Sequence, residues 1–272
     1  MNFNANVIPM LLFAIVLFWV GFSVAGRVVS VPGRAGLLIV ATLLAVPGFL
    51  CVLYYTHWFD GATWFYNFRA LPHSELTASG LALVFGILQR LSRPQTPGEK
   101  LIAPAALIVL LFVPFMKSAL DPVDYRQLRR TCEGEVCLQS TPSTCGPASA
   151  ATLLKLFGLN ASEEELAREC FTYRGGTEIW YVARAFRRRG LSADFLIQTP
   201  ARISPPAPAI AGVVLPGGAG HFVAILSDNA DAVTVGDPLK GKLVIPRKEL
   251  NDSYHFTGFF LVVRPGVNAG HR

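Results

Sequence analysis

Residues 137–158 read CLQSTPSTCGPASAATLLKLFG, and this stretch sets the architecture of the second half of the chain. A turn-rich segment leads to Cys145. Residues 147–157 then predict a helix, with Pro147 in its first turn and Gly158 at its end. The Cys145 thiol therefore lies at a helix N-terminus, where backbone N–H groups and the helix dipole favour a thiolate. Such a cysteine is either a nucleophile or a buried structural residue.

Two more helices and six strands are predicted after this segment. Ser162 and Glu165 form a capping box for a helix that ends near residue 170. A third helix runs from Thr177 to Gly190. The predicted strands, bounded by Gly, Pro and Asn or Asp turns, are 192–197, 208–215, 221–227, 231–236, 242–246 and 256–263. Helices followed by a largely antiparallel sheet indicate an α+β domain.

Three polar residues lie near the ends of these elements and complement Cys145. His221 opens the apolar strand HFVAIL, and Asp237 ends the next strand, so antiparallel pairing brings the two side by side. An aspartate there can orient the imidazole so that its other nitrogen faces a thiol. Gln139 can aim a side-chain N–H at the space beside the Cys145 N–H, as an oxyanion hole requires. Each residue alone has an ordinary structural interpretation, but the ordered set predicts thiol catalysis that needs no metal or organic cofactor.

Three motifs together resemble the C39 family of papain-like cysteine peptidases, which trim the leader peptides of bacteriocins. They are residues 137–158 quoted above, GHFVAIL at 220–226 and VGDPLKG at 235–241. The resemblance covers about residues 131–264. It implies four roles: nucleophile for Cys145, base for His221, orienting residue for Asp237 and oxyanion donor for Gln139.

The resemblance also implies a substrate class. Members of that family commonly cut after a double glycine in a leader and export the product through a fused ATP-driven transporter. The expected partner is therefore a peptide or protein substrate with a Gly-rich cleavage site. This chain has no phosphate-cradling loop of the form G-x-x-x-x-G-K-[ST], so any transport or secretion partner is expected to be a separate protein. The Gly217–Gly218 pair is interpreted as a turn.

The first 120 residues differ in composition from the rest. They contain ten charged residues, against thirty-two in residues 121–272. Apolar runs of this kind predict membrane-spanning helices. The predicted spans are about 7–26, 35–55, 76–91 and 101–120. Three spans are the alternative, because the third run is short and contains Ser79 and Gly80.

These observations predict two domains of different class. An all-α membrane domain of three to four transmembrane helices precedes an α+β papain-like cysteine peptidase domain, with the helices of the latter packed on an antiparallel sheet. The expected boundaries are a transmembrane domain at 1–120, a linker at 121–130, the C39-like domain at 131–264 and a tail at 265–272.

Basic residues indicate the orientation in the membrane. Loops 27–34 and 90–100 carry Arg27, Arg34, Arg90, Arg93 and Lys100. If both loops are cytoplasmic, the amino terminus and the peptidase domain lie outside, as in an integral protein of a bacterial cytoplasmic membrane. Basic residues also follow the last span on the opposite side of the membrane, and they argue against this orientation: Lys117, Arg126, Arg129 and Arg130.

Some features leave alternatives open. Four aromatic residues of segment 56–75 fit either an interfacial belt or packing against the soluble domain; they are Trp58, Trp64, Phe65 and Tyr66. Cys132 and Cys137 are either a small-loop disulfide or two free thiols. The basic triplet 187–189 fits a solvated helix end rather than a nucleic-acid site, so no nucleic-acid partner is expected.

The function predicted from these features is that of a membrane-anchored cysteine endopeptidase with the lipid bilayer as a second partner. One alternative is a papain-like transpeptidase or acyltransferase, because the acyl-enzyme is common to both reactions. Another is a non-catalytic peptide-binding module of a membrane complex, although such a module has no need of a nucleophile.

Overall fold

The computed structural model describes residues 3–92, 96, 98–132, 134–199 and 204–266. Arg93 and residues 267–272 of the expected tail lie outside the described residues. The chain divides into two compact units. We name the units after the domains that the sequence predicts: the membrane unit comprises Phe3–Gly61 and Leu71–Lys117, and the peptidase unit comprises Ala62–Ala70 and the chain from Ser118 onward. The expected boundary after residue 120 lies three residues later than the division at Ser118, and the internal segment Ala62–Ala70 also belongs to the peptidase unit.

Helices and strands occupy separate parts of the described chain. The helices are α1 Val7–Arg27, α2 Val31–Leu53, α3 Thr63–Arg69, α4 Gly80–Leu91, α5 Glu99–Phe112, α6 Lys117–Leu120, α7 Cys145–Leu156, α8 Glu163–Glu169, α9 Ile179–Arg188 and α10 Leu250–Ser253. The strands are β1 Leu191–Ile197, β2 Ala209–Val214, β3 Gly220–Asp228, β4 Ala232–Asp237, β5 Gly241–Pro246 and β6 His255–Pro265.

Within the described residues, two helices are long and apolar enough to cross a membrane: α1 and α2. A third candidate is the interrupted pair Thr63–Arg69 and Ser74–Leu91. The expectation of three to four spans is thus slightly too high, because two helices, or three candidates if that pair counts as one span, are long and apolar enough. The predicted span 101–120 is not one continuous helix. Helix α5 has 14 residues and is followed by a 3-10 turn at Val113–Phe115. At about 1.5 Å per residue, α5 is shorter than a hydrocarbon core of about 30 Å.

The membrane unit is held together by a close approach of α1 and α4. A Cβ atom added to Gly21 would lie 2.3 Å from the Leu83 carbonyl oxygen. One added to Gly86 would lie 2.1 Å from the Phe18 carbonyl oxygen. Only glycine allows these backbones to approach so closely, as is common where membrane helices associate.

The peptidase unit is built on a six-stranded antiparallel sheet with the order β1-β6-β2-β3-β4-β5. All six predicted strands are present within two residues of their expected bounds. One face carries a buried apolar cluster that includes Val223, Val235 and Phe260. On β3, the Phe222 carbonyl accepts a 3.1 Å hydrogen bond from the Ser149 hydroxyl of α7. The helix that begins at Cys145 is therefore fixed directly to the strand that carries His221.

The three predicted helices of this unit are α7, α8 and α9. In α8, Ser162 accepts a 3.0 Å hydrogen bond from the Glu165 N–H, as the capping box requires. The predicted start of α9 at Thr177 was wrong by two residues, since the helix begins at Ile179. The Thr177 hydroxyl instead lies 2.7 Å from the Thr172 hydroxyl.

Helix α3 packs on the sheet of the peptidase unit, although its sequence lies between membrane helices. The Tyr66 ring centroid is 4.9 Å from that of Phe259 on β6 and 5.4 Å from that of Phe195 on β1. Tyr66 is 9% exposed, whereas Trp58 and Trp64 are 75% and 51% exposed. Packing against the soluble domain is therefore the correct interpretation for Tyr66.

Side chains of α9 bind the C-terminal end of α3. Arg184 Nη2 donates a 2.6 Å hydrogen bond to the Arg69 carbonyl, and Arg187 Nη2 donates a 3.1 Å bond to Asn67 Oδ1. The Arg69 guanidinium lies 4.4 Å from the Trp180 ring centroid. Cations are favoured at this end of a helix, and their bonds to carbonyl groups complete its capping.

The rest of the basic triplet forms ion pairs within the unit. Arg189 lies 2.7 Å from Glu165 and 2.8 Å from Glu169, and Arg188 lies 3.1 Å from Glu169. The triplet is thus at a helix end, where the Arg188 side chain is 56% exposed and both arginines pair with carboxylates of α8.

The expected linker 121–130 packs against the peptidase unit. Val123 and Leu128 are 6% and 4% exposed and form a small apolar cluster with Ala167 of α8. The segment is thus part of the folded unit and not a free connection.

A buried glutamate fixes the turn that precedes α7. Glu163, with no exposed surface, accepts hydrogen bonds from the Arg129 N–H at 2.9 Å, the Ser140 N–H at 2.7 Å and the Ser140 hydroxyl at 2.5 Å. Ser140 follows Gln139 directly. A buried carboxylate that receives three donors is a strong local constraint, so Glu163 determines where this turn lies.

We expect Tyr66→Ala to destabilise the peptidase unit by about 2–4 kcal/mol, because it removes a ring packed between Phe195 and Phe259. The measurement is chemical denaturation of the full chain in detergent, followed by circular dichroism. Trp64→Ala on the same helix is the control, with a loss of at most about 1 kcal/mol. Equal losses for the two variants would contradict the docking of α3.

We expect Glu163→Gln to destabilise the unit by about 2–3 kcal/mol, because the amide group turns a donor toward the donors of Arg129 and Ser140. Glu165→Gln, a neighbour whose side chain is 54% exposed, is the control and has a smaller effect. Thermal unfolding of both variants measures the difference. A loss for Glu165→Gln as large as that for Glu163→Gln would argue against the special role of the buried carboxylate.

Candidate active site

Cys145 is the first residue of α7 and is 9% exposed. The preceding residue, Thr144, is fully buried, and its hydroxyl donates a 3.0 Å hydrogen bond to the Thr141 carbonyl. The turn therefore delivers the thiol to the N-terminus of a 12-residue helix. A helix N-terminus carries a partial positive charge, and a carbonyl carbon placed there would meet the sulfur and the backbone N–H groups together.

His221 and Asp237 meet at one end of the sheet. His221 is the second residue of β3 and Asp237 the last of β4, and they are 5% and 0% exposed. His221 Nε2 lies 3.0 Å from Asp237 Oδ1. The Cys145 side chain lies close enough to the imidazole to influence its charge state. The structure thus brings Cys145, His221 and Asp237 together in that order.

The charge state of His221 follows from these contacts. Burial alone favours the neutral imidazole, but hydrogen bonds with Asp237 and Cys145, together with their negative charges, outweigh burial and raise the pKa of His221 to about 9. At neutral pH the ring is therefore an imidazolium. An imidazolium beside the thiol stabilises the thiolate and holds a proton for a leaving group.

Asp237 remains ionised in spite of its burial. Burial alone would raise the pKa of this carboxyl, but hydrogen bonds from His221, the Tyr254 hydroxyl and the Leu239 N–H lower it below its usual value. The Tyr254 hydroxyl donates to Oδ2 at 2.6 Å, and the Leu239 N–H donates to Oδ1 at 2.9 Å. A carboxylate that accepts several hydrogen bonds is strongly favoured in its charged form.

Gln139 lies in the turn before α7 and is hydrogen-bonded to the residue that follows Asp237. Its backbone N–H donates a 3.0 Å hydrogen bond to the carbonyl of Pro238, which follows Asp237. Its side-chain Nε2 donates a 2.8 Å bond to the Thr141 carbonyl. Among the described residues, the buried Gln139 Oε1 has no hydrogen-bond partner. The amide therefore lies beside the loop that ends in Cys145, with one of its two N–H bonds used by Thr141.

Cys132 and Cys137 form a disulfide with a Cα–Cα distance of 4.8 Å, which resolves the two alternatives for this pair. The Lys155 ammonium donates hydrogen bonds to the Cys132 carbonyl at 3.2 Å and to the Gly134 carbonyl at 2.6 Å. Cys137 precedes Gln139 by two residues. The disulfide loop therefore leads directly into the turn that carries the amide.

Two residues of the site were missed in the sequence. Tyr254 binds Asp237 but belongs to no motif, and its position between α10 and β6 gives no sign of that contact. Glu163 is one of three consecutive glutamates after Ser162, and nothing in the local sequence distinguishes it from the other two. Only the three-dimensional fold identifies either residue.

Residues 134–268 match the model of the Peptidase C39 family. An uncharacterized protein of Methanothermobacter marburgensis is 34% identical over 125 residues, which are 46% of this chain and 84% of that protein. The lactococcin-G-processing and transport ATP-binding protein LagD of Lactococcus lactis is 26% identical over 135 residues, which are 48% of this chain but 19% of LagD.

Among solved structures, a similar one is the double glycine motif protease from an AMS/PCAT transporter in complex with its leader peptide. It is 26% identical, has a TM-score of 0.41, and the alignment covers 51% of this chain and 94% of that protease. The match to the family model, together with the methanogen relative covered over most of its length, assigns this chain to the peptidase C39 family.

Proposed function

We propose that this protein is a membrane-anchored cysteine endopeptidase in which Cys145 is the nucleophile, His221 the base and acid, and Asp237 the residue that orients the imidazole. The observation that carries the proposal is the hydrogen-bonded arrangement around His221. Asp237 Oδ1 lies 3.0 Å from Nε2, and the Cys145 side chain at the start of α7 is near enough to raise the pKa of the ring. This is the arrangement that acyl transfer by a thiol requires.

The proposed reaction begins with attack of the Cys145 thiolate on a peptide carbonyl carbon, which forms an S–C bond and moves an electron pair onto the carbonyl oxygen. The Cys145 N–H and a Gln139 N–H stabilise that oxyanion. The Gln139 Nε2 carries two hydrogens and Thr141 accepts one, so the second is available for the oxyanion.

The tetrahedral intermediate then collapses, the C–N bond breaks and the leaving amine takes the proton of the His221 imidazolium. The product is a thioester on Cys145. The neutral His221 removes a proton from water, which attacks the thioester carbonyl and releases the carboxylic acid and the thiol. Asp237 holds the ring throughout, because it fixes Nε2 and leaves Nδ1 for the thiol and the leaving group.

The proposed substrate is a peptide or protein with a Gly-rich cleavage site. LagD, a relative by sequence, is by its name a lactococcin-G-processing protein. We carry over from it only the substrate class, because this chain spans about a fifth of LagD. The two apolar helices α1 and α2 would keep the peptidase unit at a membrane surface, where such a substrate would be presented.

The proposed location of the peptidase unit is the extracytoplasmic side of the membrane. Disulfides persist in oxidising compartments and are rare in the cytosol, and Cys132 and Cys137 are joined. Arg27 at the end of α1 and Arg34 in the first turn of α2 favour the cytoplasm for the connection between these helices.

We expect Cys145 to react rapidly with iodoacetamide from about pH 6 upward, because the imidazolium of His221 stabilises its thiolate. In His221→Ala, labelling at about pH 6 falls by about a hundredfold, because an ordinary thiol with a pKa near 8.5 is then almost fully protonated. The rate of peptide cleavage is expected to fall as the pH rises through about 9, where the His221 proton is lost.

The measurement is the second-order alkylation rate of the full chain in detergent, with the modified residue identified by mass spectrometry. Cys145→Ala gives the background, and His255→Ala, which removes an exposed histidine of β6, is the matched control. Slow labelling of the wild-type protein, unchanged in His221→Ala, would refute the catalytic proposal and favour a peptide-binding module.

We expect protein that is alkylated at once during extraction, and unfolded without reductant, to show three free thiols: Cys51, Cys145 and Cys170. After reduction all five cysteines of the chain react. The number of thiols that react before reduction shows whether the peptidase unit lies in an oxidising or a reducing compartment. In a reducing cytosol all five thiols would react without added reductant. That result would overturn the proposed extracytoplasmic location.

A further inference from the structure

Tyr254 lies outside every motif that points to the candidate site, yet its hydroxyl reaches into the centre of it. The residue follows α10 and immediately precedes β6, and it is 5% exposed. Its hydroxyl donates a 2.6 Å hydrogen bond to Asp237 Oδ2. This is a short bond to a charged acceptor, and such bonds are about twice as strong as those between neutral groups.

The two oxygens of Asp237 have different partners. Oδ1 accepts from His221 Nε2 at 3.0 Å and from the Leu239 N–H at 2.9 Å. Oδ2 accepts from Tyr254, and the Lys240 ammonium lies 3.9 Å from the same oxygen. A carboxylate held at both oxygens cannot rotate about its Cβ–Cγ bond without loss of hydrogen bonds. Tyr254 therefore fixes the plane in which Oδ1 faces the imidazole.

The groups around Asp237 come from several elements. His221 faces it from β3, Tyr254 from the α10–β6 junction and Lys240 from the turn after β4. The Lys240 side chain is 53% exposed, and its ammonium lies 5.0 Å from the Tyr254 ring centroid. Solvent screens a charge at that position, so the buried hydroxyl is the stronger constraint on Oδ2. Burial and the contact with Asp237 raise the pKa of Tyr254, so the hydroxyl keeps its proton.

We propose that Tyr254 is a positioning residue of this peptidase: its hydroxyl holds the Asp237 carboxylate ionised and oriented, and through it aligns the His221 imidazole with Cys145. The inference rests on the proposed function above. It adds Tyr254 as a fourth side chain to the set Cys145, His221 and Asp237.

The consequence for catalysis lies on the acidic side of the pH profile. The hydrogen bond from Tyr254 is one of those that lower the pKa of Asp237, so its loss moves that pKa upward. Once protonated, Asp237 cannot hold the imidazolium, and the thiolate loses its partner. The fall in the peptide-cleavage rate at alkaline pH depends on the proton of His221. It is less affected, because His221 bonds to the other oxygen of Asp237.

The test compares Tyr254→Phe with the wild-type protein in iodoacetamide labelling of Cys145 across the pH range, on the full chain in detergent. Tyr254→Phe keeps the ring and removes one oxygen. We expect the acidic limb of its labelling profile to move upward by about one pH unit, and its labelling rate at neutral pH to stay within about twofold of the wild-type rate. The matched control is Tyr125→Phe, which removes a hydroxyl bonded to the Thr172 carbonyl at 3.2 Å and leaves the profile unchanged.

A double variant separates positioning from general stability. If Tyr254 acts through Asp237, Tyr254→Phe adds no further loss of labelling rate to Asp237→Asn. If Tyr254→Phe does not fold, 4-aminophenylalanine at position 254 takes its place, because its ring carries an N–H donor where the hydroxyl stood, and the acidic limb is expected close to that of the wild type. An upward shift of about one pH unit with this donor in place would overturn the inference.

The two proposals fail in different ways. A wild-type Cys145 that labels like an ordinary thiol overturns the peptidase proposal and this inference with it. A wild-type Cys145 that is activated, with a Tyr254→Phe profile superimposed on it, overturns the role of Tyr254 alone. Equal further losses from Tyr254→Phe in the wild-type and Asp237→Asn backgrounds would likewise assign Tyr254 a merely structural part.

Discussion

The Asp237 carboxylate has no exposed surface, and its charge persists only because donors surround it. An unpaired carboxylate in such a place would cost several kcal/mol or would take up a proton. His221 arrives from β3, the Leu239 N–H from the turn after β4 and Tyr254 from the start of β6. The sheet must therefore be in register before the site acquires its charges, and sheet and site depend on each other.

The same end of β4 also anchors the turn before α7. The Gln139 N–H binds the carbonyl of Pro238, the residue after Asp237. On the other side of that turn, Glu163 holds Ser140 by two hydrogen bonds. The turn is thus held from both sides before it reaches Cys145. A nucleophile on a short turn gains its precision from such supports and not from the helix alone, since the helix constrains only the residues from Cys145 onward.

The sequence predicted those parts of the molecule that depend on neighbours along the chain. The adjacency of His221 and Asp237 follows from two consecutive strands and one turn, and the capping by Ser162 follows from a motif of four residues. Tyr254 could not be found in this way, because its partner lies across the sheet and no periodicity marks it. The docking of α3 was likewise hidden, since its short aromatic run between apolar segments is compatible with a membrane interface. The number of spans was overestimated because an apolar composition does not ensure an unbroken helix, and α5 stops after 14 residues.

The docking of α3 has a consequence for the order of events at the ribosome. Tyr66 is made early, whereas its partner Phe259 lies on β6, the last strand. At about 5–20 residues per second, the two emerge on the order of ten or more seconds apart. During that interval Tyr66 of α3 lacks one of its two aromatic partners in the sheet, and β6 must still insert between β1 and β2. Nascent chains that end before β6 therefore expose the edge of an incomplete sheet and the face of α3 that packs on β6. These exposed surfaces distinguish them from the finished protein for quality-control factors.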